Sequence, residues 1–332
     1  MDVDVFVATH QPEWDRLTEL LRRATRLRGP EADELVTLYQ RAATHLSIVR
    51  TTAPDPVLVG RLSSLVARSR SAVTGTPSPT WREIGLFFTR RLPAAIYLSR
   101  RWWVTTAVVF LVFSAVLAVW IATTPEVQAT IAAPDDVRAM TSPGGGFETY
   151  YSSRPAASFA AQVWTNNAWI AAGALMLGVL LGVPVVLILA VNAANVGVVA
   201  GLMIAAGRAE VFFGLLTPHG LLELTAVFVA SGTGLRLGWA VVDPGRLTRA
   251  EALARQGRTV VVIALGLVCV LLVSGVIEAY VTPSALPTAA RIGIGVAAEL
   301  AFLAYVFGLG RRAALAGETA DIDAGDSLPA VG

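Results

Sequence analysis

Long apolar blocks alternate with short charged segments over most of the chain after residue 102. A helix of about 20 apolar residues crosses the roughly 30 Å hydrocarbon core of a bilayer. The segment 155–207 is uncharged throughout and is long enough for two crossings. The other blocks each suit one crossing and carry few charges: 103–123, 215–242, 259–277 and 288–310. The pattern predicts an all-α, polytopic membrane protein whose transmembrane domain covers 103–310.

Arginine placement predicts six spans with both ends in the cytoplasm. Cytoplasmic segments next to a membrane are enriched in Lys and Arg. Three arginine clusters then belong on one side, and the loop 124–165 belongs on the other. The clusters are Arg82, Arg90, Arg91, Arg100 and Arg101; Arg246, Arg249, Arg255 and Arg258; and Arg311 and Arg312. Three crossings between 166 and 242, ending near residues 190, 207 and 242, satisfy this. The alternative has five spans, with 192–213 re-entrant or 215–242 broken.

The first 101 residues have ordinary soluble composition. Apolar positions at helical spacing predict helices over 11–28 and 31–49, and Asp55 is placed to cap a third. These helices make a cytoplasmic domain over 1–76, followed by a linker at 74–79. The segment 80–101 mixes apolar residues with arginines, which favours an amphipathic juxtamembrane helix at the membrane surface over a packed helix of the soluble bundle. Residues 311–332 form a cytoplasmic tail.

Composition supports a membrane location and excludes several other classes. Hydrophobic residues make up 55% of the chain and charged residues 15%, and the mean hydropathy is +0.61. Soluble proteins carry about 25% charged residues. A net charge of +2 does not suggest a nucleic-acid partner, and the single cysteine, Cys269, cannot form an internal disulfide. The acidic start predicts no cleaved signal peptide. The lipid bilayer is therefore the expected surrounding, in the inner (plasma) membrane.

Small residues recur at a spacing of four within the apolar blocks, which lets helix backbones approach closely. We interpret these glycines as packing positions within the chain, with a homodimer interface as the alternative. They are Gly178, Gly182, Gly197, Gly201, Gly234 and Gly238.

A polar set lies at or within the predicted spans. Ionisable groups in hydrocarbon cost several kcal/mol, so they normally face one another, water or a site. His219 and Glu223 share one helix face, and Arg236 lies too far along to reach Glu223, so Glu278 or Glu299 is its expected partner. The segment 217–220 is expected to break its helix. The polar core comprises Asn192, Asn195, Pro218, His219, Gly220, Glu223, Arg236, Glu278 and Glu299.

Enzymatic motifs are weak. His219 and Glu223 resemble half a metal site, but no third ligand is evident from the spacing, and His10 and His45 belong to the front domain. We therefore predict no catalytic residues, no metal and no cofactor.

Two runs carry a family resemblance. They are Thr-Pro-His-Gly-Leu-Leu-Glu-Leu at 217–224 and Gly-Thr-Gly-Leu-Arg-Leu-Gly at 232–238. They resemble the Pro-His-Gly-x-x-Glu element and the following glycine-rich stretch of stage II sporulation protein M-like membrane proteins. Asn166-Asn167, the asparagines at 192 and 195, and 277–284 are similar in the same order. The front run at 38–43 is similar to long, actinobacterial-type members. Pro218, His219, Gly220, Glu223, Arg236 and Glu278 match the family's polar core.

The resemblance implies a non-enzymatic scaffold. The family's namesake holds peptidoglycan-cleaving partners during engulfment in endospore formers. Unidentified envelope or cytoplasmic proteins are therefore the expected partners here. The alternative is a transporter or channel that uses His219, Glu223, Glu278 and Glu299.

Overall fold

The chain folds into two compact units, Met1–Ile84 and Gly85–Gly332. The computed structural model describes residues 3–24, 27, 29–52, 55–73, 81–152 and 155–319, and every regular element among them is a helix. The linker predicted at 74–79 and the part of the predicted tail beyond residue 319 lie outside the described residues. The sequence placed the domain boundary at residue 76, and the contacts divide the chain after Ile84.

The first unit is built around three helices, α1 (Val3–Arg22), α2 (Pro30–Thr52) and α3 (Pro56–Val73). Their apolar faces meet in a core that includes fully buried Trp14, Leu17 and Leu62. Asp55 accepts a hydrogen bond from the backbone N–H of Leu58 at 2.9 Å, which is the cap that the sequence predicted. The front domain is therefore helical and has a hydrophobic core of its own.

The segment expected to be one surface helix over 80–101 is interrupted and partly buried. It consists of α4 (Trp81–Leu86), a π turn (Phe87–Arg91) and α5 (Leu92–Leu98). The whole run from Leu92 to Ile96 is buried. The reason is local composition, because this run is uncharged and packs against two glycines of the membrane unit, Gly266 and Gly310. The predicted amphipathic helix is therefore interrupted, and its second half is buried against the membrane unit.

Within the described residues, the membrane unit has six long helices, with short helices between them. The helices of this unit, in chain order, are α6 (Arg100–Thr123), α7 (Pro125–Ile131), α8 (Pro134–Thr141), α9 (Gly146–Thr149), α10 (Ala156–Leu177), α11 (Val183–Ala205), α12 (Ala209–Val242), α13 (Arg249–Val276), α14 (Thr288–Ala304) and α15 (Arg311–Leu315). A π turn at Ile277–Val281 extends α13, and another at Tyr305–Gly310 joins α14 to α15.

Contacts show that the six long helices alternate in direction. At one end, which we call the arginine-rich end, Arg236 donates to Ser99 and Arg249 donates to the carbonyl of Val241. At the other end, which we call the cap end, Arg208 of the α11–α12 turn bonds Glu148. Helices α6, α11 and α13 run from the arginine-rich end to the cap end, and α10, α12 and α14 run back.

Five of these helices are long and apolar enough to cross a membrane. They are Arg100–Thr123, Val183–Ala205, Ala209–Val242, Arg249–Val281 and Thr288–Leu315. Helix α10 is more polar because it contains Gln162, Asn166 and Asn167. It nevertheless lies along α12 from one end to the other. Phe159 shares a cluster with Leu215 near the cap end, and Leu175 contacts the α12 backbone near the arginine-rich end.

Two predicted boundaries of the second long helix are wrong. The second long helix begins at residue 156 and ends at residue 177, where the sequence analysis predicted about 166 and 190. The turn lies at 178–182, where Gly182 has a φ of +74° that favours glycine. Pro184 then sits in the first turn of α11, a position that tolerates a missing N–H. The cap loop is correspondingly shorter than 124–165, and it contains three short helices.

Five helices qualify as spans, but the fold shows neither of the two interruptions that were expected to reduce the count to five. Helix α11 is continuous through the segment 192–205, and α12 continues through Pro218 without ending. The expected break at 217–220 is therefore wrong. Tertiary packing holds this stretch, because the proline's own backbone lies directly against Gly295 of α14.

The six spaced glycines lie at contacts within the chain. A Cβ on Gly234 would collide with the Ala174 carbonyl, and one on Gly178 would collide with the Gly234 backbone. Backbone contact of this kind gives close van der Waals packing where lipid supplies no hydrophobic driving force. Gly238 faces the turn at 178–182 that follows α10, Gly182 faces Leu235, and Gly197 and Gly201 face α6.

Candidate functional site

Three ionisable side chains meet between α12 and the end of α13. His219 and Glu223 are one turn apart on α12, and Glu278 lies in the π turn that extends α13. One ligand atom from each lies within 4.8 Å of the others. We call these three residues the polar cluster. The π turn adds one residue to the helical repeat, and such turns are frequent at functional sites.

The imidazole of His219 is held by groups on the facing helix. Its Nδ1 lies 3.2 Å from Oγ1 of Thr282, and its Nε2 lies 3.8 Å from Oε1 of Glu278. Thr282 Oγ1 also donates to the Ile277 carbonyl at 3.5 Å, so its lone pairs are free to accept from Nδ1–H. In the tautomer that carries its proton on Nδ1, Thr282 can accept that proton and the Nε2 lone pair faces the carboxylate.

Glu223 is surrounded by neutral polar groups. Ser274 of α13 donates to its Oε2 at 3.4 Å and to the backbone carbonyl of His219 at 3.1 Å. Asn167 of α10 is a further hydrogen-bond partner of the carboxylate. Both Ser274 and Asn167 are buried. Three helices therefore contribute polar groups to one site.

Glu278 is the least satisfied member of the polar cluster. Its side chain is 5% exposed, and its Oε2 is buried with no hydrogen-bond partner among the described residues. A buried polar atom without a partner is costly and calls for a specific explanation.

A cavity of about 680 Å³ opens beside the carboxylates. Glu223 and Glu278 line it together with polar residues of α10, including Gln162, Asn166 and Asn167. On the cap side, the ring of Tyr151 packs 5.6 Å from the ring of His219. Burial raises the pKa of the Tyr151 phenol, which is neutral at pH 7 even at the usual value for tyrosine. The polar cluster is therefore enclosed by protein and reached through a polar cavity.

The other predicted polar residues lie elsewhere. Arg236 bonds Ser99 at 3.0 Å near the arginine-rich end, so the predicted pairing with Glu278 or Glu299 is wrong. The reason is distance, because Glu278 faces His219, about 25 Å along α12 from Arg236. Glu299 accepts from Thr225 at 2.9 Å on a different face of α12.

The two asparagines of α11 also stand apart from the polar cluster. Asn192 donates to the Ile188 carbonyl of its own helix at 2.8 Å, and Asn195 is exposed. Pro218 and Gly220 are buried beside His219 and serve packing: Pro218 lies against α14, and Gly220 lies against Leu216.

Sequence reasoning missed the supporting residues Ser274, Thr282 and Tyr151. Thr282 and Asn167 lie inside runs that carried the family resemblance, which was the available signal. Ser274 lies in an uncharged block and had no such signal.

The polar cluster can hold a cation. An imidazole and two carboxylates are ligand types that bind zinc. A second group, His10, Glu13 and His45, has comparable spacing in the first unit. There, Arg41 already pairs with Glu13 at 2.9 Å and Trp14 donates to Nδ1 of His45 at 3.2 Å.

Comparison with protein families agrees with this geometry. The model for stage II sporulation protein M matches residues 107–283, which is more than half of the chain. The chain belongs to the stage II sporulation protein M family. The match runs from α6 through the π turn after α13, so it includes the whole polar cluster of this family member. A second model, a domain of unknown function (DUF8413), matches residues 4–75 and so covers α1 to α3. Comparisons with curated proteins and with solved structures gave no significant match.

Proposed function

We propose that this family member is a non-enzymatic scaffold of the cell envelope in the plasma membrane. The proposal rests on one observation: the helices pack backbone to backbone between the polar cluster and the arginine-rich end. At that level α10 meets α12 at Gly234, and α6 meets α12 where Gly232 faces the Trp103 backbone. Helices in backbone contact leave a packed body there, which suits a protein that holds partners.

Charge supports an orientation for the scaffold. The arginine-rich end collects Arg90, Arg91, Arg246, Arg249 and Arg311, whereas the cap end carries Glu126, Asp135, Asp136 and Glu148 against Arg138 and Arg208. The positive-inside rule then places the arginine-rich end, the first unit and the C-terminus in the cytoplasm. Helices α7 to α9 face the outside. Under this proposal the first unit holds a cytoplasmic protein and the outer cap holds an envelope protein.

The test is purification of a tagged full-length chain from its own host in mild detergent, with quantitative mass spectrometry. Deleting residues 1–76 removes α1 to α3 of the first unit. A double substitution, Asp135→Ser with Asp136→Ser, changes the exposed face of α8. Asp243→Ser is the matched control, because it removes an exposed charge at the other end. We expect stoichiometric partners, one set lost with each change and none lost with the control. Recovery of the chain alone in every sample contradicts the proposal.

Transport is the second candidate, and the cavity beside Glu223 and Glu278 favours it. A water-filled path to buried carboxylates is a feature of proton and ion carriers. Glu299, which the transport hypothesis first included, does not line this cavity and instead bonds Thr225. The transport hypothesis therefore rests on the three residues of the polar cluster. Reconstituted liposomes decide it. A transporter gives pH-dependent flux that Glu223→Gln abolishes and Glu299→Gln preserves, and a scaffold gives the leak rate of empty liposomes.

A further inference from the structure

We propose that His219, Glu223 and Glu278 bind one divalent transition-metal ion, of which Zn²⁺ is the best match. The proposal goes beyond the scaffold role and does not depend on it. Its basis is the juxtaposition of three ligand-type side chains with a carboxylate oxygen that has no partner.

The orientation of His219 is the first argument. With the Nδ1 proton directed at Thr282, the Nε2 lone pair faces a carboxylate oxygen 3.8 Å away. In this tautomer both facing atoms are electron-rich, and a cation bound between Nε2 and Oε1 makes their contact favourable. Metal-binding histidines are commonly oriented in this way, with the second ring nitrogen donating to a fixed acceptor. Thr282 is fully buried and supplies that acceptor.

The unpartnered oxygen of Glu278 is the second argument. Its side chain is 95% buried, yet Oε2 has no hydrogen-bond partner among the described residues. Among those residues no arginine pairs with either carboxylate of the polar cluster. When both carboxyls are ionised, they and a neutral imidazole carry a charge of −2, which one divalent ion neutralises in a low-dielectric setting.

Distances are the third argument. Zinc holds imidazole nitrogen and carboxylate oxygen at about 2.0–2.2 Å, which places the ligand atoms about 3.4 Å from each other in a tetrahedron. The cluster atoms lie within 4.8 Å of one another, so small side-chain rotations close the site. Imidazole selects transition metals over Mg²⁺ and Ca²⁺.

Three protein ligands leave a fourth position open. Glu223 and Glu278 both line the cavity of about 680 Å³, so this position faces the polar cavity, which also gives the ion a route in. Water is the expected fourth ligand.

The test is metal analysis of the full-length protein in detergent. The protein is treated with a chelator, incubated with ZnCl₂ or CoCl₂ in the presence of excess MgCl₂, desalted and measured by mass spectrometry of the metal. We expect about one ion per chain in the wild type, with the visible absorption of Co²⁺ in a nitrogen and oxygen site. His219→Ala and Glu278→Gln should reduce uptake at least about 10-fold.

Two controls separate this site from others. Glu299→Gln removes another buried carboxylate of the bundle, and His45→Ala disables the group in the first unit; both should keep wild-type uptake. If a cluster variant aggregates, two other measurements decide the outcome. They are metal uptake by the metal-free, monodisperse wild type and metal uptake by the two control variants. A wild type that takes up no metal overturns the proposal. Equal uptake in all folded variants, or uptake lost with His45→Ala, also overturns it.

Discussion

Thr282 lies 3.2 Å from the imidazole Nδ1 of His219, although 63 positions separate the two residues in the chain. The contact joins α12 to the end of α13 inside the bundle. It offers an acceptor to the tautomer with its proton on Nδ1, and in that tautomer the Nε2 lone pair faces Glu278. The polar cluster therefore depends on a neutral hydroxyl as well as on its charged members.

Thr282→Val removes this acceptor while keeping side-chain volume. Because the second-nitrogen partner of a ligand histidine contributes about 10–100-fold in metal affinity, we expect Co²⁺ binding to weaken by that factor. Titrating the metal-free protein with CoCl₂ while recording visible absorption measures this affinity. Thr225→Val is the control, since Thr225 bonds Glu299. Unchanged affinity in Thr282→Val would show that the hydroxyl does not orient the ring.

Gly234→Ala tests the packing between α10 and α12. The added methyl meets the Ala174 carbonyl, so the helices must separate, and overpacking of this kind costs about 1–3 kcal/mol. A lower thermal unfolding temperature in detergent is the expected result. Gly293→Ala, also in a membrane helix, has nothing within 4 Å and should be neutral or slightly stabilising. Equal stability of the two variants contradicts the assigned contact.

His45 makes the first unit sensitive to acid. It is 9% exposed, and its Nδ1 accepts a hydrogen bond from Trp14. Burial lowers the pKa of His45 in the folded state, and nearby His10 lowers it further. An unfolded histidine titrates near pH 6.5, so the unfolded chain binds more protons on acidification. The contribution of His45 is complete above about pH 6.5 and is lost as the pH falls toward the lower folded value.

His45→Gln should remove that loss, because the amide accepts from Trp14 without titrating. Amide hydrogen exchange is measured on the full-length wild type and on the variant at the same pH, so the pH dependence of the intrinsic exchange rate cancels. Relative to the variant, the wild type should lose protection in α1 to α3 between pH 7 and pH 5. Parallel behaviour of both proteins would mean that another group controls the acid response.

Much of the architecture could be predicted from the sequence, because uncharged blocks and arginine clusters report directly on a bilayer. Block 155–207 offered no charged residue to mark its turn, so the turn at Gly182 was misplaced. The pairing of Glu278 with His219 depends on a π turn and on how α13 packs against α12. Residue spacing within one helix reveals neither of these features. Only the ligand-like pair on α12 could be recognised from sequence, since both members share one face.

The measurement that tests the account most directly is cysteine accessibility, because a scaffold that reaches both sides of the membrane requires its two ends to lie on opposite sides. Cys269→Ser removes the one native cysteine, and Ala133→Cys and Ala250→Cys then place single thiols at exposed positions of the cap end and the arginine-rich end. A membrane-impermeant maleimide should label Ala133→Cys in intact protoplasts and Ala250→Cys only after permeabilisation. Leu180→Cys should behave like Ala250→Cys if α10 crosses the membrane. Labelling of Ala133→Cys and Ala250→Cys from the same side would contradict the account.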